Sequence, residues 1–226
     1  MISVLIPSCH RTDLLIGCLG SLLDTKGDHD VETVLVLDGY SPVEVNRILS
    51  RVDGNFIMDY SPIRRGALFC WNGALRLSRG SVIVFAGDDQ IFHPGWLDFA
   101  LESLKEKVGG YGVVGMNDLA YDGNLQVSTM WMTTRRYCKE VMGGVFAPPH
   151  YSYYRIDSEW NEKAKQLGKF YWDSRSVVEH LHSAHGKRPT DYLDHEKMDA
   201  GWMLMDEKIF EERKSLGFPV DYDPII

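Results

Sequence analysis

The chain has 226 residues, of which 44% are hydrophobic and 12% aromatic. This length and composition exclude a disordered or fibrous class and are sufficient for one sizeable core. The formal net charge of −8, from 24 basic and 32 acidic residues, argues against a protein that binds nucleic acid mainly through its phosphates. The four cysteines are scattered without a C-x-x-C pair, so we expect free thiols and a reducing compartment.

The first apolar segment, residues 2–6, is too short for the hydrophobic part of a signal peptide. No later segment approaches the length of a membrane helix. We therefore expect a soluble, cytoplasmic protein that makes no membrane contact.

Strands and helices alternate through the first half of the chain. Apolar runs rich in β-branched residues predict strands at residues 2–6, 31–37, 56–60, 81–86 and 112–116. Apolar residues at helical spacing predict four helices. The first is capped by Thr12, and the second begins with a capping box from Ser41 to Glu44. The third covers residues 67–77 and is terminated by Gly80, and the fourth begins at His93. This alternation predicts an α/β fold, a mostly parallel sheet with helices on both faces.

The pattern is looser after residue 118, where glycines and prolines interrupt short segments. We expect a helix at residues 157–167, a strand at 176–182 and an amphipathic helix from about 199 to 214. We interpret the chain as a single domain, 1–226, made of a donor-binding half, an acceptor and catalytic half, and a C-terminal helical tail. Their expected ranges are 1–118, 119–195 and 196–226.

Two adjacent carboxylates, Asp88 and Asp89, follow the predicted strand at residues 81–86. Ligands of open α/β sheets bind beyond the carboxyl ends of the strands, so this acid pair lies where chemistry is expected. Two carboxylates at such a place suggest a divalent cation. The alternative is that both are turn residues without a ligand, because aspartate is common where a strand ends.

Four sequence blocks carry a resemblance to a known family. They are residues 2–7, residues 34–39, Arg65-Gly66 with Asn72, and Gly87-Asp88-Asp89 with residues 94–97. In this order and spacing they resemble family 2 glycosyltransferases of the GT-A fold over residues 1–118, with a weaker similarity to about residue 192. The resemblance implies a Rossmann-like GT-A domain with a smaller acceptor-side region. It also implies a glycosyltransferase that uses a nucleotide-diphosphate sugar.

The resemblance further implies which residues contact the donor. The loop after the first strand and the acid after the second are expected to hold the base and ribose. The full expected set is Pro7, Ser8, Arg11, Asp38, Arg65, Asn72, Asp88, Gly144 and Lys187. Alternatively, Asp38 and Gly144 are turn residues, and Arg65 and Lys187 are solvated charges.

Asp89 and His180 are the expected ligands of a divalent cation, Mn²⁺ or Mg²⁺. The family pattern is acid, any residue, acid, and here Gly87 stands at the first acid and Asp89 at the last, which leaves the metal's identity and the need for it open. His180 and His182 share one face of the predicted strand. The resemblance favours His180, and the alternative is a histidine that is hydrogen-bonded in a half-buried strand.

Inverting transfer requires a carboxylate that takes the proton of the acceptor hydroxyl. The resemblance places this general base at Asp157, with Glu159 in reserve, and the alternative for Asp157 is an ordinary helix cap. Aromatic residues between Phe146 and Trp160 are expected to form the acceptor wall, with about half of them in the core.

These observations predict a metal-assisted, inverting glycosyltransferase. The resemblance is to small bacterial and bacteriophage relatives and allows an acceptor glycan, a protein side chain or a modified DNA base. Basic residues that would form a DNA track are Arg135, Arg136, Lys139, Lys187 and Arg188. A nucleotidyltransferase is disfavoured because the chain has no glycine-rich loop with a phosphate-binding lysine. A catalytically silent nucleotide-sugar-binding protein remains the other alternative.

Overall fold

The structure is a computed structural model that describes residues 1–120 and 128–226. Its strands are β1 (Ile2–Cys9), β2 (Val31–Asp38), β3 (Phe56–Ser61), β4 (Val82–Phe85), β5 (Gln90–Phe92), β6 (Val113–Asn117), β7 (Trp131–Thr134) and β8 (Phe170–His180). Its helices are α1 (Thr12–Thr25), α2 (Pro42–Arg51), α3 (Ala67–Leu77), α4 (Trp96–Glu106), α5 (Arg135–Val141), α6 (Ile156–Gln166), α7 (Tyr192–Asp199) and α8 (Trp202–Ser215).

The strands form one sheet in the order β3-β2-β1-β4-β7-β6-β8-β5. Strands β1 to β4 pair in parallel, and β8 pairs in parallel with β6. Strand β7 runs antiparallel between β4 and β6, and the short β5 closes the edge antiparallel to β8. The predicted α/β fold is confirmed, and the sheet continues without a break from the first half of the chain into the second.

Strands β1, β2 and β4 are buried on both faces. In β1, Val4 and Ile6 belong to one hydrophobic cluster and Leu5 to the other. Successive side chains of a strand point to opposite faces, so each cluster lies between the sheet and one layer of helices. This packing fixes the carboxyl ends of β1, β2 and β4 along one edge.

Two of the expected helix signals have different roles from those predicted. The capping box of Ser41 and Glu44 is present, but α1 begins after Arg11, and Thr12 is its first helical residue rather than its cap. Helix α3 ends at Leu77, before Gly80. A Cβ atom on Gly80 would lie 2.7 Å from the backbone nitrogen of Ser3, so close approach to β1 requires glycine there.

The C-terminal part differs most from the prediction. Helix α7 was not expected, and the boundary at residue 195 falls inside it. Gly201, in the left-handed region with φ 66°, separates α7 from α8, so the expected helix from residue 199 begins at Trp202. Within residues 1–120 and 128–226, no helix combines the length and apolar character that a membrane crossing requires.

Candidate active site

The acid pair lies between β4 and β5, at the edge where the parallel strands end. Asp88 and Asp89 are each 6% exposed. The backbone N–H of Leu181 donates to the Asp89 carbonyl at 2.8 Å, and β5 places Gln90 opposite His180 in the sheet. The pairing of β5 with β8 therefore brings the end of the distant β8 to the acid pair.

Asp89 is surrounded by positive and hydrogen-bonding groups. His180 Nε2 lies 3.2 Å from Asp89 Oδ1, while Arg11 Nη1 and Arg188 Nη2 lie 3.2 and 3.6 Å from Oδ2. Burial favours the neutral acid, but the hydrogen bond to His180 and these charges hold the pKa of Asp89 well below its usual range. Asp89 is the strongly ionised member of the pair.

Asp88 has the opposite electrostatic character. Its Oδ2 accepts a 2.6 Å hydrogen bond from Ser8, and Arg11 Nη1 lies 3.5 Å from its Oδ1. Burial and the negative charge of Asp89 raise the pKa of Asp88, against the lowering effects of Arg11 and Ser8. Ser8 is itself fixed by a 2.5 Å hydrogen bond with the hydroxyl of Tyr40. The adjacent Pro7 lies in β1, opposite Val36.

A second pair of carboxylates, at the start of α7, faces the same arginines. Arg11 Nε donates to Asp191 at 2.8 Å, and its Nη2 donates to Asp194 at 3.0 Å. Both terminal nitrogens of Arg188 donate to Asp194, at 2.7 and 3.0 Å. The two guanidinium groups therefore lie between the acid pair and α7, which they join by ionic contacts.

Lys197 connects this ionic cluster with the aromatic region. Its Nζ donates to the hydroxyl of Tyr153 at 2.6 Å, and its charge acts to lower the pKa of Asp88. The ring of Tyr153 stacks on Trp202, with the ring centroids 6.4 Å apart. Helix α7 is thus linked to the acid pair through the two arginines and contacts the expected acceptor side through Tyr153.

The oxygen and nitrogen atoms around Asp89 fit a divalent cation that also binds a substrate phosphate. Asp89 and His180 converge, and the buried Oε1 of Gln90 has no partner in the part of the chain that the structure describes. A Cβ atom on Gly87 would lie 3.2 Å from Asp89 Oδ1, so Asp89 lies close to the position of the missing first acid. Among the described residues no three His, Cys, Asp or Glu side chains converge on one point. Mg²⁺ characteristically takes one or two carboxylates and completes its shell with phosphate and water.

Asp38, another expected donor contact, is buried and binds the backbone of the loop at Arg65–Gly66. Its carboxylate accepts hydrogen bonds from the backbone N–H groups of Arg65 and Gly66, at 2.8 to 3.0 Å. The guanidinium of Arg65 pairs with Asp59 at 2.8 Å and stacks over Phe69, with its Nη2 buried and unpartnered among the described residues. Arg65 is therefore not a solvated surface charge.

Three expected donor contacts have other partners. The amide of Asn72 binds the backbone of Phe146 and Ala147, at 2.9 to 3.1 Å. Lys187 pairs with Glu179 at 2.9 Å, so it is Arg188 that faces the acid pair. A Cβ atom on Gly144 would lie 3.0 Å from the carbonyl oxygen of Ile226, so Pro224 and Ile226 occupy the approach expected for a sugar.

His182 does not share a strand face with His180, because β8 ends at His180. Instead His182 caps the short 3₁₀ helix Ser183–His185, and its Nδ1 accepts from the N–H of Ala184 at 3.0 Å. Its ring still contacts that of His180 edge-on, with the centroids 4.9 Å apart. Of the two histidines, only His180 has a contact with Asp89 among the described ion pairs.

The two base candidates lie in different environments. Asp157 is the second residue of α6, after the cap residue Arg155, and its Oδ1 accepts from the N–H of Ser158 at 2.7 Å. Asp157 is partly exposed, and partial burial of its carboxyl group raises its pKa. Glu159 is fully buried, with hydrogen bonds from Arg213 at 2.9 Å to both oxygens and from Tyr151 at 2.7 Å. Glu159 therefore has the environment of a structural ion pair, which does not suit a base.

The aromatic residues divide between core and surface. Phe146, Tyr151 and Trp160 are buried, whereas Tyr153 and Tyr154 are partly exposed. Three members of the supposed DNA track are neutralised by neighbouring acids, in the pairs Arg136–Glu140, Lys187–Glu179 and Arg188–Asp194.

Sequence reasoning missed the residues of α7. Asp191 and Asp194 form a capping box, each side chain accepting from the backbone N–H of the other at 3.0 to 3.1 Å. Their spacing is the available signal for α7, since an acid three residues after a cap predicts a helix start. Nothing in that spacing indicates the pairing with Arg11 across the chain.

Comparison with known proteins identifies the class of this fold. A mannosyltransferase of Pyrobaculum calidifontis, solved with GDP-Man and Mn²⁺, matches with a TM-score of 0.64 and 18% identity, over 79% of this chain and 56% of that one. Glucosyl-3-phosphoglycerate synthase of Mycobacterium tuberculosis, solved with Mg²⁺ and UDP, matches with a TM-score of 0.65 and 15% identity, over 98% and 81%. TarS 1–349 of S. aureus, solved with UDP-GlcNAc, matches with a TM-score of 0.61 and 16% identity, over 78% and 57%. The fold is that of the GT-A glycosyltransferases.

The family model of glycosyl transferase family 2 matches residues 3–178. The chain belongs to this family. It spans only a little over half of the Pyrobaculum and S. aureus chains. A search of curated proteins found no match.

Proposed function

We propose that the chain transfers a sugar from a nucleotide-diphosphate donor to an acceptor hydroxyl, with inversion at the anomeric carbon. The observation that carries the proposal is the buried Asp88–Asp89 pair at the carboxyl edge of the sheet, faced by His180 and two arginines. Family membership supports the class of reaction, and the donors and metals of the related structures support the class of donor.

Arg11 and Arg188 are the proposed partners of the donor diphosphate. Guanidinium groups bind phosphate oxygens in a bidentate manner, and positive charge at the leaving group stabilises the negative charge that develops there during transfer. Both arginines are already paired with Asp191 and Asp194. Donor binding therefore exchanges a carboxylate for a phosphate on each arginine.

Asp89 and His180 are the proposed ligands of the cation, with Asp88 beside them. Carboxylate oxygen and imidazole nitrogen suit Mn²⁺, and the small number of protein ligands suits an ion that keeps substrate oxygens in its shell. When bound, the cation would supply Lewis-acid stabilisation of the diphosphate. Ser8 holds Asp88 in place, and Asp38 holds the Arg65–Gly66 loop against the nucleoside.

Asp157 is the proposed general base. The acceptor oxygen attacks the anomeric carbon, the bond to the diphosphate oxygen breaks, and the hydroxyl proton passes to the Asp157 carboxylate. A raised pKa brings this carboxylate closer to the pH at which a base works best.

The partly exposed Tyr153 and Tyr154 favour a glycan acceptor, because their flat rings with polar tips suit a sugar. The neutralised basic residues argue against a modified DNA base, and a protein side chain remains the other acceptor to test. In this proposal residues 1–118, together with His180 and Arg188, bind the donor, and the other residues of the range 119–195 receive the acceptor.

The test is a panel of UDP-, GDP- and TDP-sugars, with a CMP-sugar as the monophosphate control, each with Mn²⁺ or with chelator. We expect thermal stabilisation and nucleotide release with one diphosphate donor, both lost in Asp89→Asn and retained in the exposed control Asp98→Asn. Stabilisation without release would instead support a silent nucleotide-sugar-binding protein. No stabilisation by any donor would contradict the proposal.

A further inference from the structure

Asp206 of α8 is a fully buried carboxylate that binds a loop rather than a side chain. Its two oxygens accept hydrogen bonds from three consecutive backbone N–H groups, those of Ser152 at 2.8 Å, Tyr153 at 2.7 Å and Tyr154 at 2.6 Å. Burying a carboxylate is costly unless strong hydrogen bonds replace its water. Among the described residues the replacement comes from one turn of the chain, whose backbone must keep one conformation to supply it.

This turn opens the stretch that carries the proposed base, residues 151–159, which we call the base segment. Two other side chains of α8 bind it further along. Glu207 pairs with Arg155, and Arg213 pairs with Glu159 at 2.9 Å. Helix α8 therefore contacts the base segment near its start, its middle and its end.

Arg155 shows why these contacts bear on Asp157. Its backbone lies in the left-handed region, with φ 66°, which residues other than glycine rarely adopt. It is also the cap residue of α6, so its conformation sets the direction in which the helix leaves the turn. Asp157 follows two residues later and moves with that helix start.

The base segment also reaches the donor side through α7. Tyr153, one of the residues held by Asp206, accepts the 2.6 Å hydrogen bond of Lys197, whose charge acts on Asp88. The family model ends at residue 178, so α7 and α8 both lie outside the matched part. The contacts that orient the base segment are thus supplied by a portion of the chain that the family pattern does not cover.

We propose that α8 is the positioning element of the catalytic half, with Asp206 as the positioning residue that orients Tyr153, Tyr154 and, through Arg155, the base Asp157. This proposal rests on the proposed function, because it assigns the orientation of the base in that reaction. Asp206 acts through the loop that it binds and contacts no reacting atom.

The test compares Asp206→Asn with the control Glu211→Gln, an exposed residue on the same helix. An amide keeps the shape of the carboxylate but loses its charge and replaces one acceptor by a donor. Hydrogen exchange measures the exchange rates of the backbone amides of residues 152–154, and calorimetry measures the affinity for UDP and GDP. Nucleotide release from UDP-glucose or GDP-mannose is followed with water as the only acceptor. Water as acceptor keeps the assay independent of the unidentified natural acceptor.

For a folded Asp206→Asn protein we expect exchange at residues 152–154 to rise about tenfold, as for the loss of a charged hydrogen bond. Nucleotide release should fall on the order of 10²-fold, as for a misplaced catalytic group, with nucleotide affinity unchanged. The acid limb of the pH profile should also move to higher pH, because the charge of Arg155, which acts to lower the pKa of Asp157, is no longer held in place. A general structural defect would not produce this combination.

Normal release in Asp206→Asn despite faster exchange would overturn the proposal, and so would a parallel fall in nucleotide affinity. If Asp206→Asn does not fold, Glu207→Gln takes its place, since its pair with Arg155 is about 40% exposed on each side and matters less for stability. Glu207→Gln should shift the acid limb in the same direction, with a smaller fall in rate. If Glu207→Gln shows no shift and no fall in rate, the proposal is overturned. A different result is faster amide exchange in Asp206→Asn together with no nucleotide release by the unsubstituted protein. That result overturns both the proposed function and the catalytic role of α8.

Discussion

The donor side and the base segment are held by different kinds of interaction. On the donor side, Asp38 ends β2, and Asp88 and Asp89 follow β4. The register of these buried strands is fixed by backbone hydrogen bonds and by packing on both faces. The base segment instead depends on the buried charges of Asp206 and Arg213 from a distant helix. We therefore expect substitutions on the donor side to change binding with the fold intact. Single substitutions around the base segment should affect stability, catalysis or both.

The largest expected effect is that of Asp157→Asn on transfer. The amide cannot accept the hydroxyl proton, so nucleotide release should fall by about 10²–10⁴-fold, the usual contribution of a general base. Burial raises the pKa of Asp157, and release in the unsubstituted protein should therefore increase with pH through a limb above the ordinary aspartate range. A pH–rate profile should show this limb, and Asp157→Asn should lack it.

Glu159→Gln is the matched comparison for Asp157→Asn. It removes the buried carboxylate that pairs with Arg213 and leaves the half-exposed Asp221 as its acidic partner, so we expect a loss of about 3 kcal/mol in the free energy of unfolding. Chemical denaturation measures this loss. If Asp157→Asn lowered stability and Glu159→Gln lowered only transfer, the roles of the two acids would be exchanged.

Asp89→Asn tests the donor side alone. The substitution removes the charge that His180, Arg11 and Arg188 stabilise, so the metal-dependent part of nucleotide affinity should be abolished while the protein stays folded. Calorimetric titration of UDP and GDP, with Mn²⁺ and with chelator, provides the measurement. Unchanged metal-dependent affinity would show that Asp89 is not the chief ligand.

His180→Ala should have a smaller effect of the same kind. We expect metal-dependent activity to fall about tenfold, as for an altered metal shell, and His182→Ala to have less effect because its Nδ1 is occupied by Ala184. Titration of activity with Mn²⁺ compares the two variants. The reverse order would assign the ligand to His182.

Asp194→Asn should produce the smallest change, and in the opposite direction. Removing the carboxylate that pairs with Arg188 and Arg11 removes a competitor of the donor diphosphate, so UDP or GDP affinity should rise a few-fold. Asp199→Asn, at the far end of α7, is the control. Weaker binding in Asp194→Asn would mean that α7 positions the arginines for the donor rather than competing with it.

Local patterns were sufficient to predict much of the donor half. The apolar runs of β1, β2 and β4, the span of α3 and the capping box at Ser41 all depend on residues close together in sequence. The family resemblance then identified the edge that carries the acid pair, and the family match confirms that resemblance. The expected roles of Asp89, His180 and Asp157 remain predictions.

Contacts between distant residues were decided only by the tertiary structure. The sequence predicts Lys187 and Asn72 for the donor as readily as Arg188, because a basic or amide side chain has no periodicity that reveals its partner. Packing pairs Lys187 with Glu179, turns Asn72 to the backbone of residues 146–147 and leaves Arg188 facing Asp89.

The same limit applies to Gly80, Glu159 and Asp206. The sequence predicts Gly80 as the end of a helix, but glycine is required there by the close approach of Ser3. The sequence also allows Glu159 as a base, but in the structure Arg213 and Tyr151 bind its carboxylate. The sequence by itself determined most of the strands and helices of residues 1–118, because periodic burial is a local property. The tertiary structure decided which charges meet, because ion pairs and buried hydrogen bonds join residues whose separation along the chain follows no pattern.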